Sequence, residues 1–132
     1  MIKSVFCDLD YTLLTDSKEL LVDNLISINE LRKQGCDFII CSGRMPFLIK
    51  NIANILKLSS KDYIVCANGG IVCNGQGKPI MSYPIEKKCV EKILNYAIEN
   101  RIGLFVSSIN EINCINKETI ELTKIEGHVK LN

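Results

Sequence analysis

The sequence predicts an α/β fold built on a parallel sheet. Three short apolar segments, residues 2–7, 37–41 and 63–67, have the length and composition of buried strands. Helical patterns separate them, and polar residues follow each one directly. Alternating strands and helices of this kind favour parallel strands that are joined by right-handed crossovers and covered by helices on both faces.

Two amphipathic helices are predicted between these strands. The first is indicated by an apolar stripe that stops before Gly35, formed by Leu21, Leu25, Ile28 and Leu31. Pro46 occupies a position typical of a first helical turn. The buried stripe predicted for this second helix consists of Leu48, Ile52, Ile55 and Leu56.

A different organisation begins after the third strand. Residues 71–73 and 79–83 flank a Gly-rich turn and predict a hairpin, and Pro84 marks a domain boundary, giving domains 1–83 and 84–132. A third helix is predicted from Val90, Ile93, Leu94, Ala97 and Ile98. Strands are expected near 104–107 and 112–115, whereas the polar segment from Lys117 predicts no element.

Composition excludes several classes of function. With 16 basic and 15 acidic residues the formal charge is +1, which gives no footprint for nucleic acid or an anionic membrane. No segment approaches the ~20 apolar residues that span a bilayer, so we expect a soluble, cytoplasmic protein. The seven cysteines form no CxxC pair and are expected to be small buried hydrophobes in a reducing compartment. His128 is the only histidine and supports neither a His-rich metal site nor a Ser-His-Asp triad.

The chemistry is predicted at the end of the first strand. Asp8 and Asp10 are two residues apart in extended backbone and therefore point to the same side. A carboxylate that attacks a phosphate dianion needs a divalent cation to neutralise both partners, and oxygen ligands favour Mg²⁺. Asp10, held protonated, could give a proton to the leaving alkoxide and then, as a base, activate the water that cleaves an aspartyl-phosphate.

Polar residues after the other two strands predict a phosphate site nearby. Ser42, Gly43 and Arg44 lie between the second strand and the second helix, where unpaired N–H groups and the helix dipole favour an anion. Asn68 follows the third strand. The carboxyl ends of parallel strands meet at one edge of a sheet, so all these groups should converge there.

The order of these motifs resembles that in the Cof-type branch of the haloacid dehalogenase superfamily. This branch comprises phosphatases that carry a large C2-type cap domain and act on small phosphorylated metabolites. The resemblance implies that Asp8 is the nucleophile and a Mg²⁺ ligand, and that Asp10 is the acid/base and binds the metal through its backbone carbonyl. It also implies an incomplete, Rossmann-like parallel sheet of three strands, with an α+β cap beginning at Pro84. The implied phosphate-binding residues are Leu9, Thr12, Ser42, Gly43, Arg44 and Asn68.

The sequence departs from the family pattern in two places. Tyr11 stands where the family usually has Gly, so we expect a bulkier loop. The family's later motifs, a Lys and a Gly-Asp-x-x-x-Asp, are not visible. Lys124 and Lys130 lie in the polar tail, and no Gly-Asp pair occurs in the sequence. Loss of one preorganised electrostatic group commonly costs about 10² to 10³ in rate. We therefore expect a truncated, nearly silent site, and an open edge on the first strand that favours self-association.

Two functional hypotheses remain open at this point. The first is a Mg²⁺-dependent phosphatase of small phosphorylated metabolites, either sugar phosphates or cofactor and nucleotide phosphates. The second is a catalytically incomplete fragment or a non-catalytic interaction module. A phosphoacceptor receiver domain is disfavoured because the third predicted strand does not end in Asp.

Overall fold

A computed structural model describes residues 2–116. The first part of the chain is built around one five-stranded sheet. The strands run in the order of the chain and are β1 (Ser4–Asp8), β2 (Asp37–Cys41), β3 (Tyr63–Cys66), β4 (Ile71–Asn74) and β5 (Pro79–Ser82). β1, β2 and β3 are parallel, whereas β4 is antiparallel to both β3 and β5. The predicted α/β class is confirmed. The predicted hairpin is present, but it extends the parallel sheet because β4 also pairs with β3.

Two helices connect the parallel strands. They are α1 (Val22–Lys33) and α2 (Pro46–Ile55). Arg32 and Lys33 lie in the last turn of α1, where they complement the helix dipole, and Gly35 follows with φ of +78°. Pro46 opens α2 as predicted.

Two members of the predicted apolar stripes are exposed. Leu21 precedes α1 instead of lying within it, and half of its surface faces solvent. Ile55 is 49% exposed, and Ile49 occupies the core in its place. The reason is geometric. The buried residues are three or four positions apart and share one face of α2, from which position 55 is turned away; they are Ile49, Ile52, Ala53 and Leu56.

The core lies between the sheet and the helices of this first part. Its fully buried side chains are Leu9, Ile40, Ile49, Leu56, Cys66 and Cys73. β1 is an edge strand among the described residues, and Phe6 on it is 68% exposed. The expectation that helices cover both faces of the sheet is therefore wrong at β1. The exposed edge is as expected, while self-association through it stays a prediction.

The chain divides into two compact units between Tyr83 and Pro84. The described part of the second unit contains α3 (Lys87–Glu99) and an antiparallel pair, β6 (Leu104–Ser107) with β7 (Ile112–Ile115). Of the apolar stripe predicted for α3, only Ala97 is buried, whereas Ile93 and Ile98 are about half exposed. The one helix and two strands described between Pro84 and residue 116 provide too little surface to bury a complete stripe.

All seven cysteines are free thiols. Cys36, Cys66 and Cys73 are buried as expected, whereas Cys89 is exposed and the other three are partly buried, so the expectation of buried cysteines holds only in part. Between residues 2 and 116, no helix has the length and apolar character needed to cross a membrane. The segment from Lys117, including Lys124, His128 and Lys130, lies outside the described residues.

Candidate active site

The two acidic residues are placed by a tight turn at the end of β1. Leu9–Leu13 forms a wide turn in which Asp10 is extended and Tyr11 is left-handed, and the N–H of Leu14 closes it by donating to the carbonyl oxygen of Leu9 at 2.9 Å. Leu9 and Leu13 are both buried and anchor this turn in the core. The polar residues between them are thereby held at the carboxyl end of the sheet.

Asp8 faces an open cleft of about 280 Å³. The hydroxyl of Thr12 donates to Asp8 Oδ2 at 2.9 Å, which fixes the orientation of the carboxylate. The residues that line the cleft come from the ends of all three parallel strands and are Asp8, Cys41, Ser42, Gly43, Val65, Asn68 and Gly69. The predicted convergence of three strand ends is therefore present in the fold.

Asp10 is held by two cations. Arg44 Nε lies 2.8 Å from Asp10 Oδ2, and Arg44 Nη2 lies 2.5 Å from Oδ1. Lys18 Nζ lies 3.3 Å from the same Oδ1. Hydrogen bonding from Arg44 lowers the pKa of Asp10 below its ordinary value, with a further contribution from Lys18. In this arrangement Asp10 is ionised, which differs from the protonated form that proton donation requires.

The two loops after β2 and β3 are linked by backbone hydrogen bonds. The N–H of Asn68 donates to the Ser42 carbonyl at 3.2 Å, and the N–H of Ala67 donates to the Arg44 carbonyl at 3.0 Å. Ala67 and Asn68 both adopt left-handed backbone conformations, with φ of 51° and 52°. This pair of strained residues turns the loop toward Ser42 and brings Asn68 to the cleft.

Gly43 lies where these loops approach each other closely, next to the side chain of Asn68. A Cβ atom at this position would lie 2.9 Å from Asn68 Oδ1, closer than real Cβ contacts. The neighbouring Ser42 is buried, and its Oγ accepts a hydrogen bond from the N–H of Arg44 at 3.1 Å. The loop therefore presents a compact, polar wall opposite Asp8.

A model of the haloacid dehalogenase-like hydrolase family matches residues 5–131. The chain belongs to this family. It is 26% identical to phosphatase YwpJ of Bacillus subtilis, with 71% of this chain and 32% of the relative aligned. It is 23% identical to 5-amino-6-(5-phospho-D-ribitylamino)uracil phosphatase YcsE of the same organism, with 84% and 44% aligned.

A solved structure shows the same fold. A protein of Geobacillus kaustophilus HTA426 matches with a TM-score of 0.75 and 25% identity, over 86% of this chain and 43% of that one. The chain spans about a third to a half of the length of the curated relatives it matches. The resemblance to Cof-type haloacid dehalogenases is thus confirmed.

The family's usual Gly after the second Asp has a structural explanation in this chain. Tyr11 at this position has φ of 62° and ψ of 10°, a left-handed conformation that glycine adopts without strain. The Tyr11 ring is largely exposed and lies under the ammonium group of Lys18, at 3.6 Å from ring centroid to Nζ. The expected bulk beside the site is present.

The predicted site residues fall into three groups. Asp8, Ser42, Gly43 and Asn68 line one cleft. Asp10 and Arg44 are paired with each other. Leu9 is fully buried, so it could reach a ligand only through its backbone, and the Thr12 hydroxyl is directed to Asp8.

Sequence reasoning missed Lys18 and Cys41. Cys41 lines the cleft beside Asp8, because the last residue of β2 pairs in register with the last residue of β1. Burial raises the pKa of the Cys41 thiol, and the Asp8 carboxylate raises it further. Lys18 had one signal in the sequence, a positive charge soon after the two acidic residues.

The residues present fit Mg²⁺ only in part. Asp8 lines the cleft together with the hydroxyl of Ser42, the amide of Asn68 and backbone groups of two glycines, which offer the hard oxygen chemistry that Mg²⁺ prefers. The Cys41 thiol and the apolar Val65 line the same cleft and do not suit this metal. From residue 2 to residue 116, no three His, Cys, Asp or Glu side chains cluster as a metal site. Mg²⁺ is commonly held by one or two carboxylates, water and substrate phosphate, so this part of the chain provides one portion of such a shell.

Proposed function

We propose that this chain carries the nucleophile site of a Mg²⁺-dependent phosphomonoester hydrolase that acts on small phosphorylated metabolites. The observation that carries the proposal is the position of Asp8, which lines one cleft together with Ser42, Gly43 and Asn68. A hydroxyl, a side-chain amide and a closely approachable backbone suit phosphoryl oxygens. Membership of a hydrolase family supports the same chemistry.

The proposed reaction has two steps. A carboxylate oxygen of Asp8 attacks phosphorus, the bond from phosphorus to the alcohol oxygen breaks, and Asp10 gives that oxygen a proton. Water then attacks the aspartyl-phosphate, Asp10 takes a proton from this water, and inorganic phosphate leaves. Because Asp10 is ionised and paired with Arg44, it must gain a proton and release that contact before the first step.

The Asp8 carboxylate and the Asp10 backbone carbonyl would hold the metal. Bound Mg²⁺ supplies the charge neutralisation that lets a carboxylate approach a phosphate dianion. The Thr12 hydroxyl donates to Asp8 Oδ2. This hydrogen bond fixes the carboxylate and leaves Oδ1 as the oxygen that would attack phosphorus.

The substrate class proposed is a sugar phosphate or a cofactor or nucleotide phosphate. A relative from Bacillus subtilis is named as the phosphatase of a phosphoribitylamino-uracil, which combines a sugar-like phosphate with a pyrimidine. We further propose that the unit beginning at Pro84 is the first part of a substrate-selecting cap.

A second candidate is a non-catalytic fragment or interaction module. It is favoured by the charges around the site, because Arg44 and Lys18 are both paired with Asp10 and no third acidic ligand accompanies Asp8 in residues 2–116. Such a chain would bind phosphate without turning over an ester.

Hydrolysis of p-nitrophenyl phosphate and of glycerol phosphate, with Mg²⁺ or with EDTA, tests the proposal. We expect slow turnover, because the family's later Lys and Gly-Asp-x-x-x-Asp motifs are not visible in the sequence. This turnover should need Mg²⁺ and be abolished in Asp8→Asn. Asp16→Asn, which changes an exposed acidic residue in the same loop, is the matched control. Undiminished turnover in Asp8→Asn would refute the nucleophile assignment, whereas phosphate binding without any turnover would favour the second candidate.

A further inference from the structure

A short hairpin after the acidic pair places a lysine beside the site. Leu14 and Leu20 form a bridge, and the N–H of Thr15 donates to the Glu19 carbonyl at 3.0 Å. The N–H of Lys18 donates to the Thr15 carbonyl at 2.9 Å, and Lys18 itself has a left-handed φ of 65°. The tip is thus closed by its own hydrogen bonds, so Lys18 is held in a defined position.

Two groups fix the ammonium of Lys18. Its Nζ lies 3.6 Å from the centre of the Tyr11 ring and 3.3 Å from Asp10 Oδ1. A cation over an aromatic face is attracted by the ring's negative centre, and the carboxylate adds a second, directional contact. Less than a quarter of the Lys18 side chain is exposed. A flexible surface lysine would be far more solvated.

The consequence is that Asp10 is oriented from two directions. Arg44, from the loop after β2, contacts both oxygens, and Lys18, from the hairpin, contacts Oδ1. Two cations therefore share Oδ1, and Oδ2 is the oxygen that Lys18 does not engage. An anionic substrate that draws Arg44 away would leave Oδ2 available while Lys18 still holds Oδ1.

We propose that Lys18, seated on the Tyr11 ring, is a positioning residue that aims Asp10 Oδ2 at the leaving oxygen of the substrate. This inference rests on the proposed phosphatase function. Tyr11 is the position at which the chain departs from the family's usual Gly, so the seat for Lys18 is supplied by that departure. The left-handed backbone of Tyr11 is strained, and the chain tolerates this strain because the residue provides the aromatic ring beneath Lys18.

Leaving-group dependence separates positioning from general damage. An alkoxide needs a proton in order to leave, whereas p-nitrophenolate does not. We expect Lys18→Met in the full chain to lower kcat/KM for glycerol phosphate about tenfold, a fraction of the effect of a general acid, and for p-nitrophenyl phosphate less than about twofold. Lys18→Arg should restore most of the loss.

Variants of the ring and of a distant lysine complete the set. Tyr11→Leu should resemble Lys18→Met, and Tyr11→Phe, which keeps the aromatic face but removes the hydroxyl that also contacts Lys18, should lie between that variant and the wild type. Lys61→Met changes an exposed lysine outside the site and should alter neither substrate. Equal losses on both esters, or a Tyr11→Leu variant that behaves like the wild type, would overturn the proposal.

A thermal double-mutant cycle tests the contact without any turnover. The decrease in melting temperature in the double variant should be smaller than the sum of the decreases in Lys18→Met and Asp10→Asn. Either single change already breaks the contact, so the second change loses nothing more from it. Additive shifts would overturn the positioning role. If the wild type hydrolyses neither ester, the proposed function fails, and the cycle alone then decides whether Lys18 fixes Asp10.

Discussion

Arg44 contacts both carboxylate oxygens of Asp10, at 2.8 Å and 2.5 Å, across 34 positions of sequence. The planar guanidinium matches the carboxylate in a two-point contact, and the same fork would match two oxygens of a phosphoryl group. In the proposed enzyme, a bound phosphate ester would therefore compete with Asp10 for Arg44. In the proposed enzyme, substrate binding would itself release the acid/base residue.

The first prediction concerns this two-point contact. Arg44→Lys keeps the charge but loses the fork, so we expect kcat/KM for phosphomonoesters to fall about 10- to 100-fold, equivalent to the loss of one or two charge-assisted hydrogen bonds. Steady-state kinetics at saturating Mg²⁺ would measure it. Arg101→Lys, on an exposed loop of the second unit, is the matched control. Full activity in Arg44→Lys would show that charge alone suffices.

The second prediction concerns the hydrogen bond that orients Asp8, the proposed nucleophile. Thr12→Val preserves shape and removes the hydroxyl that donates to Asp8 Oδ2. We expect the rate of phosphoenzyme formation to fall about tenfold, since a hydrogen bond to a charged group contributes about 1.5 kcal/mol. Rapid-quench measurements would report it. Ser27→Ala, which removes a hydroxyl bonded within α1, should leave this rate unchanged.

The third prediction contrasts two glycines. Alanine at Gly43 displaces only the end of the Asn68 side chain, so we expect a Tm close to that of the wild type with weaker inorganic phosphate binding. At Gly75, a Cβ would lie 2.5 Å from the backbone oxygen of Ser59, which cannot move easily. Gly75→Ala should lower the free energy of unfolding by about 1 to 3 kcal/mol. Thermal melts and phosphate titrations of both variants would distinguish a contact with a movable side chain, at Gly43, from a contact with fixed backbone, at Gly75.

The fourth prediction concerns pH and stability away from the site. Burial raises the pKa of Asp62, but hydrogen bonds from Ser59 and the charge of Arg32 outweigh it, so the pKa lies below its ordinary value. Stability from this carboxylate is therefore present above the unfolded pKa of about 3.9 and is lost as pH falls through the lower folded value.

Asp62→Asn should accordingly lower the free energy of unfolding at pH 7 by about 1 to 2 kcal/mol, and by less at pH 3. Urea unfolding at both pH values would measure the difference. Glu30→Gln, which breaks the exposed pair with Lys33, should change it by less than about 0.5 kcal/mol. An equal loss at both pH values would show that the charge of Asp62 is not what stabilises the fold.

Sequence reasoning located the strands, the helices and the strand-end residues of the cleft, because each depends on a local signal. Four apolar residues follow Asp37 in β2, and Pro46 has its own preference for a first helical turn. The pairing of β4 with β3 was not predicted, because hydrophobic patterns within a segment do not state which neighbour it joins.

The contacts of Asp10 could not be predicted for a related reason. Arg44 and Lys18 reach this carboxylate from different loops, and the spacing of charges along a chain does not reveal ion pairs between loops. The expectation of a protonated Asp10 followed from the chemistry of a leaving alkoxide alone. The structure adds the cations that keep it ionised before substrate arrives.

The central claim is that Asp8 accepts the phosphoryl group, and trapping the intermediate tests it most directly. The full chain would be mixed with Mg²⁺ and a phosphomonoester, quenched in acid and digested, and the phosphorylated peptide mapped by mass spectrometry. We predict a phosphoryl group on Asp8 and none in Asp8→Asn, with labelling retained in Asp16→Asn. A phosphoryl group on any other residue, or none at all in the wild type, would contradict the assignment.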